Sequence, residues 1–281
     1  MNTAAREPRD NAMSGEALES ILIVYQNAVE GRQASYDDWY TNIHIRDAMR
    51  LDGAIATQRF ITSLQQPIVD GRPVDPGYFA HTIYEWESAA KSVLGHNERV
   101  GTVDMEVIRD ASFEGLRDYF YRPVFLSHGW TREQGFRRGD DVITALIVPN
   151  ERGGLGFSQW FEQHHAPDTL TLPGFGSVGL FSYHEEQSLP TPFRFPLVAI
   201  YGVTDRSAAV QAWTERYHNR GELDLSSQAE EVETGCWQAR IPRLRSEEVL
   251  DPPAAAVEEE TRARKAYAGQ FLSTKEVASM L

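Results

Sequence analysis

The chain has 281 residues, of which 41% are hydrophobic and 24% are charged, and it carries a formal net charge of −14. This length suits one large domain or two of ordinary size, and the charged fraction is typical of folded proteins. An acidic surface repels phosphate backbones and anionic lipids, which argues against nucleic-acid and membrane partners. The single cysteine, Cys236, excludes an internal disulfide and a cysteine-based zinc or iron–sulfur site.

The first 19 residues mix Arg, Glu, Asp and Ser and contain no apolar h-region. This composition predicts a flexible lead-in at 1–19 rather than a signal peptide. No apolar run reaches the roughly 18 residues that span a bilayer. We therefore expect the protein in the cytoplasm.

The chain contains an internal repeat. Residues 21–62 align without a gap on residues 142–183, so that Trp39 falls on Trp160 and His44 on His165. The same register matches Asp47 with Asp168, Leu51 with Leu172, Gly53 with Gly174 and Phe60 with Phe181. Because Trp and His are rare residues, their coincidence in one register indicates a duplication.

Each copy predicts the element order β-α-β-β-α-β. Apolar residues at i, i+3, i+4 and i+7 from Tyr36 mark one face of a first helix at 36–49, which corresponds to 157–170 in the second copy. The turn dipeptides Asp52-Gly53 and Pro173-Gly174 end these helices before the second strand. This order is the split βαβ arrangement.

Such a unit has helices on one sheet face only, so a second sheet must cover the other face. The predicted fold is α+β, with two tandem ferredoxin-like βαββαβ repeats that form an intramolecular dimeric α/β-barrel. The predicted parts are the flexible N-terminus 1–19, the first repeat 20–125, a linker 126–141, the second repeat 142–245 and a C-terminal helical extension 246–281. The extension is expected either to pack on a partner subunit or to be mobile.

The runs from Trp39 to His44 and from Trp160 to Asp168, each followed by a Leu-x-Gly turn, resemble the signature of EthD-like dimeric α/β-barrel proteins. The resemblance implies the fold, but not the reaction. That superfamily includes cofactor-free decarboxylases, dehydratases, monooxygenases and isomerases, and some distant relatives bind haem. The reaction must therefore be argued from the site.

His44 is the first candidate catalytic residue. Tyr40 and Asp47 lie four residues before it and three after it, so the three side chains are expected on one helix face. Asp47 would fix the imidazole tautomer, which leaves a positioned acid or base, and the helix C-terminus would favour the protonated ring. A purely structural Trp/His pair is equally compatible with the pattern.

Trp160, His165 and Asp168 repeat this geometry in the second copy. Ala54 stands where the second copy has the larger Phe175, so we expect the first repeat to keep a pocket. The candidate substrate-binding residues are Trp39 as an apolar wall, Arg59 for a carboxylate, and His81, Tyr84 and Trp86 on the third strand. Alternation along that strand places His81 on the opposite face from Tyr84 and Trp86. His81 is also compatible with a plain core position.

These residues predict a cofactor-independent lyase, a decarboxylase or dehydratase, that uses a histidine acid/base on a small hydrophobic or aromatic molecule. No cofactor and no metal are expected. One alternative is a cofactor-free or haem-dependent oxygenase, and another is a non-catalytic ligand-binding or assembly protein. The predicted partner is a small-molecule substrate, and association as a homodimer stays open.

Overall fold

A computed structural model describes residues 18–151, 156–189, 193–219, 221 and 223–280. The predicted lead-in 1–19 therefore lies outside the described residues, except for Leu18 and Glu19. The strands are β1 (Ser20–Gln26), β2 (Ala54–Thr62), β3 (Ile68–Val69), β4 (Arg72–Pro73), β5 (Ala80–Trp86), β6 (Arg117–Leu126), β7 (Asp141–Pro149), β8 (Phe175–Tyr183), β9 (Leu197–Val203), β10 (Ala229–Ala239) and β11 (Leu244–Arg245).

The α-helices are α1 (Gln33–Trp39), α2 (Ile45–Met49), α3 (Ala89–Arg99), α4 (Phe157–Trp160), α5 (Ala166–Thr169), α6 (Arg206–Asn219), α7 (Ser246–Leu250), α8 (Ala254–Tyr267) and α9 (Thr274–Ala278). Two π-helical turns, Tyr40–His44 and Phe161–His165, join α1 to α2 and α4 to α5, and a 3₁₀ turn covers Leu225–Ser227. Among the described residues, no helix has the length and apolar character needed to cross a membrane.

The eight long strands form one closed antiparallel barrel. Their order is β10-β7-β9-β8-β6-β1-β5-β2, and β2 pairs with β10 to close the ring. The first half contributes β6-β1-β5-β2 and the second half contributes β10-β7-β9-β8, so each half has the same internal order. The α+β class and a barrel of the dimeric α/β type are therefore confirmed, and a single chain builds the whole barrel.

Alternation along the strands separates the core into layers. In β1, Ile21 and Ile23 point into the barrel, whereas Leu22 and Val24 point outward to the helices of the first half. A third cluster lies between the second half of the sheet and its own helices. A side chain on a strand therefore faces either the barrel interior or a layer between sheet and helices.

His81 faces the barrel interior, where it is fully buried. Its ring centroid lies 4.5 Å from that of Tyr25 and 5.2 Å from that of Trp237. Burial lowers the pKa of His81 to about 3. Tyr84 and Trp86 face the helices on the other side of the strand, as the alternation predicts, so His81 cannot share one substrate site with them.

The C-terminal extension packs on the first half of its own chain. Arg264 of α8 forms ion pairs with Asp47 and with Glu106, the latter at 2.7 Å, and the Tyr267 hydroxyl donates to Asp38 at 2.7 Å. Val277 of α9 is buried in the same layer. The described part of the extension thus covers the first helix of its own chain.

Arg264→Leu should lower the free energy of unfolding by about 3 kcal/mol, because it removes a partner from a nearly buried carboxylate. Asp47 is only 2% exposed and would keep Arg50 alone, at 3.1 Å. Urea unfolding measures the change, and Arg262→Leu, on the exposed side of the same helix, is the matched control. Equal stability of the two variants would contradict this role of Arg264.

His81→Leu should weaken the acid sensitivity of stability. The pKa of His81 is lowered in the folded state, so the unfolded chain binds the proton first as the pH falls. Stability is therefore lost between about pH 6.5 and pH 3, at up to about 1.4 kcal/mol per pH unit for one histidine. Urea unfolding at several pH values should show a shallower slope for His81→Leu, whereas the exposed His218→Leu should follow the wild type. Parallel slopes for all three proteins would refute the prediction.

Candidate functional site

A π-helical turn interrupts the first helix of each half. A π-turn bonds residue i to residue i+5, so side chains five positions apart come together. The Trp39 and His44 ring centroids lie 4.8 Å apart, and those of Trp160 and His165 lie 5.3 Å apart. The repeated Trp-x₄-His spacing thus matches this turn, and π-turns are frequent at functional sites.

In the first half, Trp39, Tyr40 and His44 line a cavity of about 110 Å³ between the helices and the outer face of the sheet. Most of the remaining wall is apolar. The polar wall residues are Gln26, Tyr84, His96, Asn97, Asp118 and Ser188. Since an apolar cavity of about 150 Å³ can hold benzene, this space is on the scale of a single ring.

His44 is neutral in this cavity. Burial lowers its pKa to about 3, and the charges of His96 and Arg59 act in the same direction. Its Nδ1 is buried and has no hydrogen-bond partner among the residues that the structure describes. Burial therefore outweighs the helix C-terminus, which was expected to favour the protonated ring.

Asp47 does not orient His44. Its Oδ1 accepts from Arg50 at 3.1 Å and from Arg264, and both pairs lie on the side covered by α8. Asp47 follows His44 by three residues on α2, but Arg50 and Arg264 hold its carboxylate, which does not line the cavity. Asp47 is therefore a structural ion-pair residue.

Tyr40 and Tyr84 meet at the cavity, where their hydroxyl oxygens lie 3.0 Å apart. Arg59 lies behind them, with its guanidinium 3.9 Å from the Tyr40 ring centroid and its Nε donating to Asp37 at 3.2 Å. Arg59 is fully buried and does not line the cavity, so its predicted contact with a substrate carboxylate is wrong.

Trp86 also lies outside the cavity wall. It packs against Tyr84 and against His96, at 6.3 Å and 5.7 Å between ring centroids. Trp86 therefore supports two wall residues from behind and does not line the cavity as predicted.

Two cavity residues, His96 and Asp118, were missed by the sequence reasoning. The Nδ1 of His96 lies 2.9 Å from the Ser92 carbonyl oxygen, and burial lowers the pKa of His96. Asp118 accepts a hydrogen bond from Ser188 at 2.6 Å, and burial raises the pKa of Asp118 to about 6. The sequence contained a signal for His96. When α3 is aligned on α6 at the residues that cap the start of the two helices, His96 falls on the position of the larger Trp213.

The corresponding space in the second half is filled by side chains. His165 is bonded at both nitrogens, with Nδ1 2.7 Å from the Leu223 carbonyl and Nε2 2.8 Å from the Tyr201 hydroxyl. Trp213 packs 4.8 Å from the Tyr201 ring centroid, and Phe175 packs 6.1 Å from both of these rings.

The other two predicted residues of the second half are also accounted for by structural contacts. Asp168 pairs with Arg216, and Trp160 packs on Phe157 and His165. These contacts make the second copy of the motif structural.

No protein-family model matches the sequence, and no curated protein matches it. Among solved structures, the chain is similar to a candidate monooxygenase from Fusobacterium nucleatum, with 10% identity, a TM-score of 0.49, and coverage of 82% of this chain and 96% of that one. It is also similar to an anthrone oxidase-like protein, at 12% identity, TM-score 0.45 and 82% and 94% coverage. A chlorite dismutase from Candidatus Nitrospira defluvii gives 10% identity, TM-score 0.46 and 84% and 96% coverage. Likenesses this low identify neither a family nor an activity.

His165→Ala should destabilise the protein more than His44→Ala. The first substitution leaves the buried Tyr201 hydroxyl and the half-buried Leu223 carbonyl without their partner, which costs about 3 kcal/mol. The second removes a ring that already borders a cavity and whose Nδ1 has no partner. Urea unfolding compares the two variants directly. A greater loss for His44→Ala would mean that the first motif, not the second, is the structural one.

Proposed function

We propose that the first-half cavity is the active site of an enzyme that oxygenates a small, neutral aromatic molecule without a cofactor, with His44 as the proton acceptor. One observation carries the proposal: the two copies of the Trp-x₄-His turn differ in their imidazoles. His165 is bonded at both nitrogens, whereas His44 has a buried nitrogen without a partner beside open space. An unpartnered buried polar group costs folding free energy, so its presence calls for a reason such as a role in function.

The charges around the cavity favour a neutral substrate. Among the described residues, Asp118 is the only acidic residue of the wall, and no lysine or arginine lines the cavity. Arg59, the nearest candidate cation, is held by Asp37 behind Tyr40. A substrate carboxylate would therefore meet no cation, which makes decarboxylation the less favoured reaction.

The proposed chemistry begins with proton transfer from an activated CH₂ group of the substrate to the neutral His44. The resulting carbanion favours the imidazolium beside it, since opposite charges attract strongly in a medium of low dielectric constant. Dioxygen then reacts with the carbanion, so that one oxygen atom becomes the C=O of the product and the other leaves as water. The apolar wall suits both dioxygen and an aromatic ring.

The cavity does not fit a haem, because about 110 Å³ is far below the volume of a porphyrin macrocycle. The His44 ring is also flanked by Trp39 and Tyr40, with centroids 4.8 Å away in both cases. No step is therefore assigned to a haem.

Dehydration is the second candidate reaction, because it needs a base and an acid at one site. The pKa of Asp118, raised by burial to about 6, lets this carboxyl hold a proton that a departing hydroxyl could take, while His44 takes the other proton. The two reactions differ in their need for dioxygen.

We further propose that the two halves are tandem ferredoxin-like repeats of the EthD-like kind. The same strand order in each half and the two Trp-x₄-His π-turns support this assignment. A cytoplasmic location, a homodimer and the lack of nucleic-acid and membrane partners stay predictions from composition and charge.

His44→Gln should lower turnover by about 10²–10⁴-fold, the usual contribution of a general acid or base. An oxygen electrode and product analysis would follow a panel of aromatic ketones with an activated CH₂ group, together with their β-hydroxy derivatives, in air and without oxygen. The exposed His218→Gln is the matched control and should keep full activity.

The outcomes separate the candidates. Oxygen uptake that disappears with His44→Gln supports the oxygenase, and turnover of the panel without oxygen supports the dehydratase. Full activity of His44→Gln would remove His44 from the mechanism. If no compound of the panel is turned over and His44→Gln lowers only the melting temperature, the chain is better described as a ligand-binding or assembly protein.

A further inference from the structure

The linker between the two halves closes one end of the barrel. Phe136 inserts into the barrel interior, where it is 2% exposed and lies 5.0 Å from the Phe181 ring centroid. The chain is then anchored to the second half, because the Arg138 N–H donates to the Ser177 hydroxyl at 2.8 Å. Gly139 follows with φ of 95°, and a Cβ there would lie 2.1 Å from the Val203 carbonyl oxygen. These contacts fix the position of Arg137 between them.

Arg137 points into the barrel end with an incompletely paired guanidinium. Its carbon Cζ lies 5.2 Å from the Phe60 ring centroid and 5.4 Å from that of Phe136, and its Nη2 donates to the Gln58 side chain at 2.5 Å. The Nε and Nη1 atoms are buried and have no partner. Buried guanidinium groups are normally paired with a carboxylate or another anion.

The nearest carboxylate is already occupied. Glu85 is 2% exposed and accepts from Arg243 at 2.8 Å through both of its oxygens, and the Trp130 indole also donates to it at 2.7 Å. The remaining Nη1 of Arg243 donates to backbone carbonyls. Glu85 and Arg243 thus neutralise each other, and the charge of Arg137 is left without a direct counter-ion.

A cavity of about 390 Å³ borders Arg137 at this end of the barrel. Its charged wall residues are three arginines and two carboxylates, namely Arg137, Arg138, Arg243, Glu85 and Asp140. Arg138 and Asp140 are exposed at the rim. The balance is positive, and among the described residues of this wall the buried donors without a partner belong to Arg137.

We propose that this barrel-end cavity is a binding site for a small oxyanion, the carboxylate of a small organic acid or inorganic phosphate, held by the guanidinium of Arg137. Guanidinium groups match the geometry of such anions, and their hydrogen bonds to charged acceptors are strong. Gln58 holds the Arg137 side chain in place, and Glu85 and Asp140 favour an anion of low charge. The site lies inside the barrel wall and shares no lining residue with the His44 cavity, so it is independent of the proposed activity.

The test is a thermal-shift titration of the whole protein at constant ionic strength, with sodium acetate, benzoate and phosphate each compared with chloride. A ligand that binds only the folded state raises the melting temperature as its concentration rises. We expect a saturable rise with at least one of these anions, and the responding anion distinguishes a carboxylate from a phosphate. Arg137→Gln should abolish the rise, whereas Arg138→Gln, at the exposed rim, should retain it.

The proposal is overturned if none of the three anions shifts the wild-type melting temperature beyond chloride, or if Arg137→Gln shows the wild-type shift. Should Arg137→Gln fail to fold, Arg137→Lys keeps the charge but replaces the planar group by a single point donor. We expect Arg137→Lys to bind the responding anion about tenfold more weakly by calorimetry. Equal affinity of Arg137→Lys and the wild type would also overturn the proposal.

Discussion

The architecture depends on two reciprocal strand pairings, β6 with β8 and β10 with β2, which join the halves into one closed ring. Without them, each half would expose a sheet face and two strand edges. Closure buries one face of each sheet inside the barrel and leaves the other face to the helices. Two equivalent layers between sheet and helices result, one in each half, and the candidate site occupies the first.

Because each half has such a layer, the two copies of the motif could diverge without loss of the barrel. In the second half, Phe175 and Trp213 fill the layer, and His165 is bonded to Tyr201 and Leu223. In the first half, Ala54 and His96 occupy the aligned positions, and the cavity beside His44 remains. The second half has a packed core and the first half has a candidate active site because the side chains at these two aligned positions differ in volume.

The sequence predicted the parts of the fold that depend on local pattern. The Trp/His register aligned the halves, and the strand and helix order followed from apolar periodicity. The errors arose where tertiary structure decides. Asp47 was assigned to the cavity, whereas Arg50 and Arg264 bind its carboxylate under α8. Alternate side chains of β5 point to opposite faces, so His81 and Tyr84 lie apart. Which of the two faces lines the barrel interior depends on closure of the barrel, which the sequence does not show. The ion pair between Asp47 and Arg264 joins residues more than two hundred positions apart, so no local sequence pattern could predict it.

The central claim is that the first-half cavity, and not its filled counterpart, receives a ligand. The most direct measurement is a crystal structure of the protein soaked with 4-bromophenol, with the bromine located by its anomalous signal. We expect a bromophenol ring beside His44, between His96 and Asp118, and none beside His165. Bromine at neither histidine, or beside His165 with the His44 cavity empty, would contradict it.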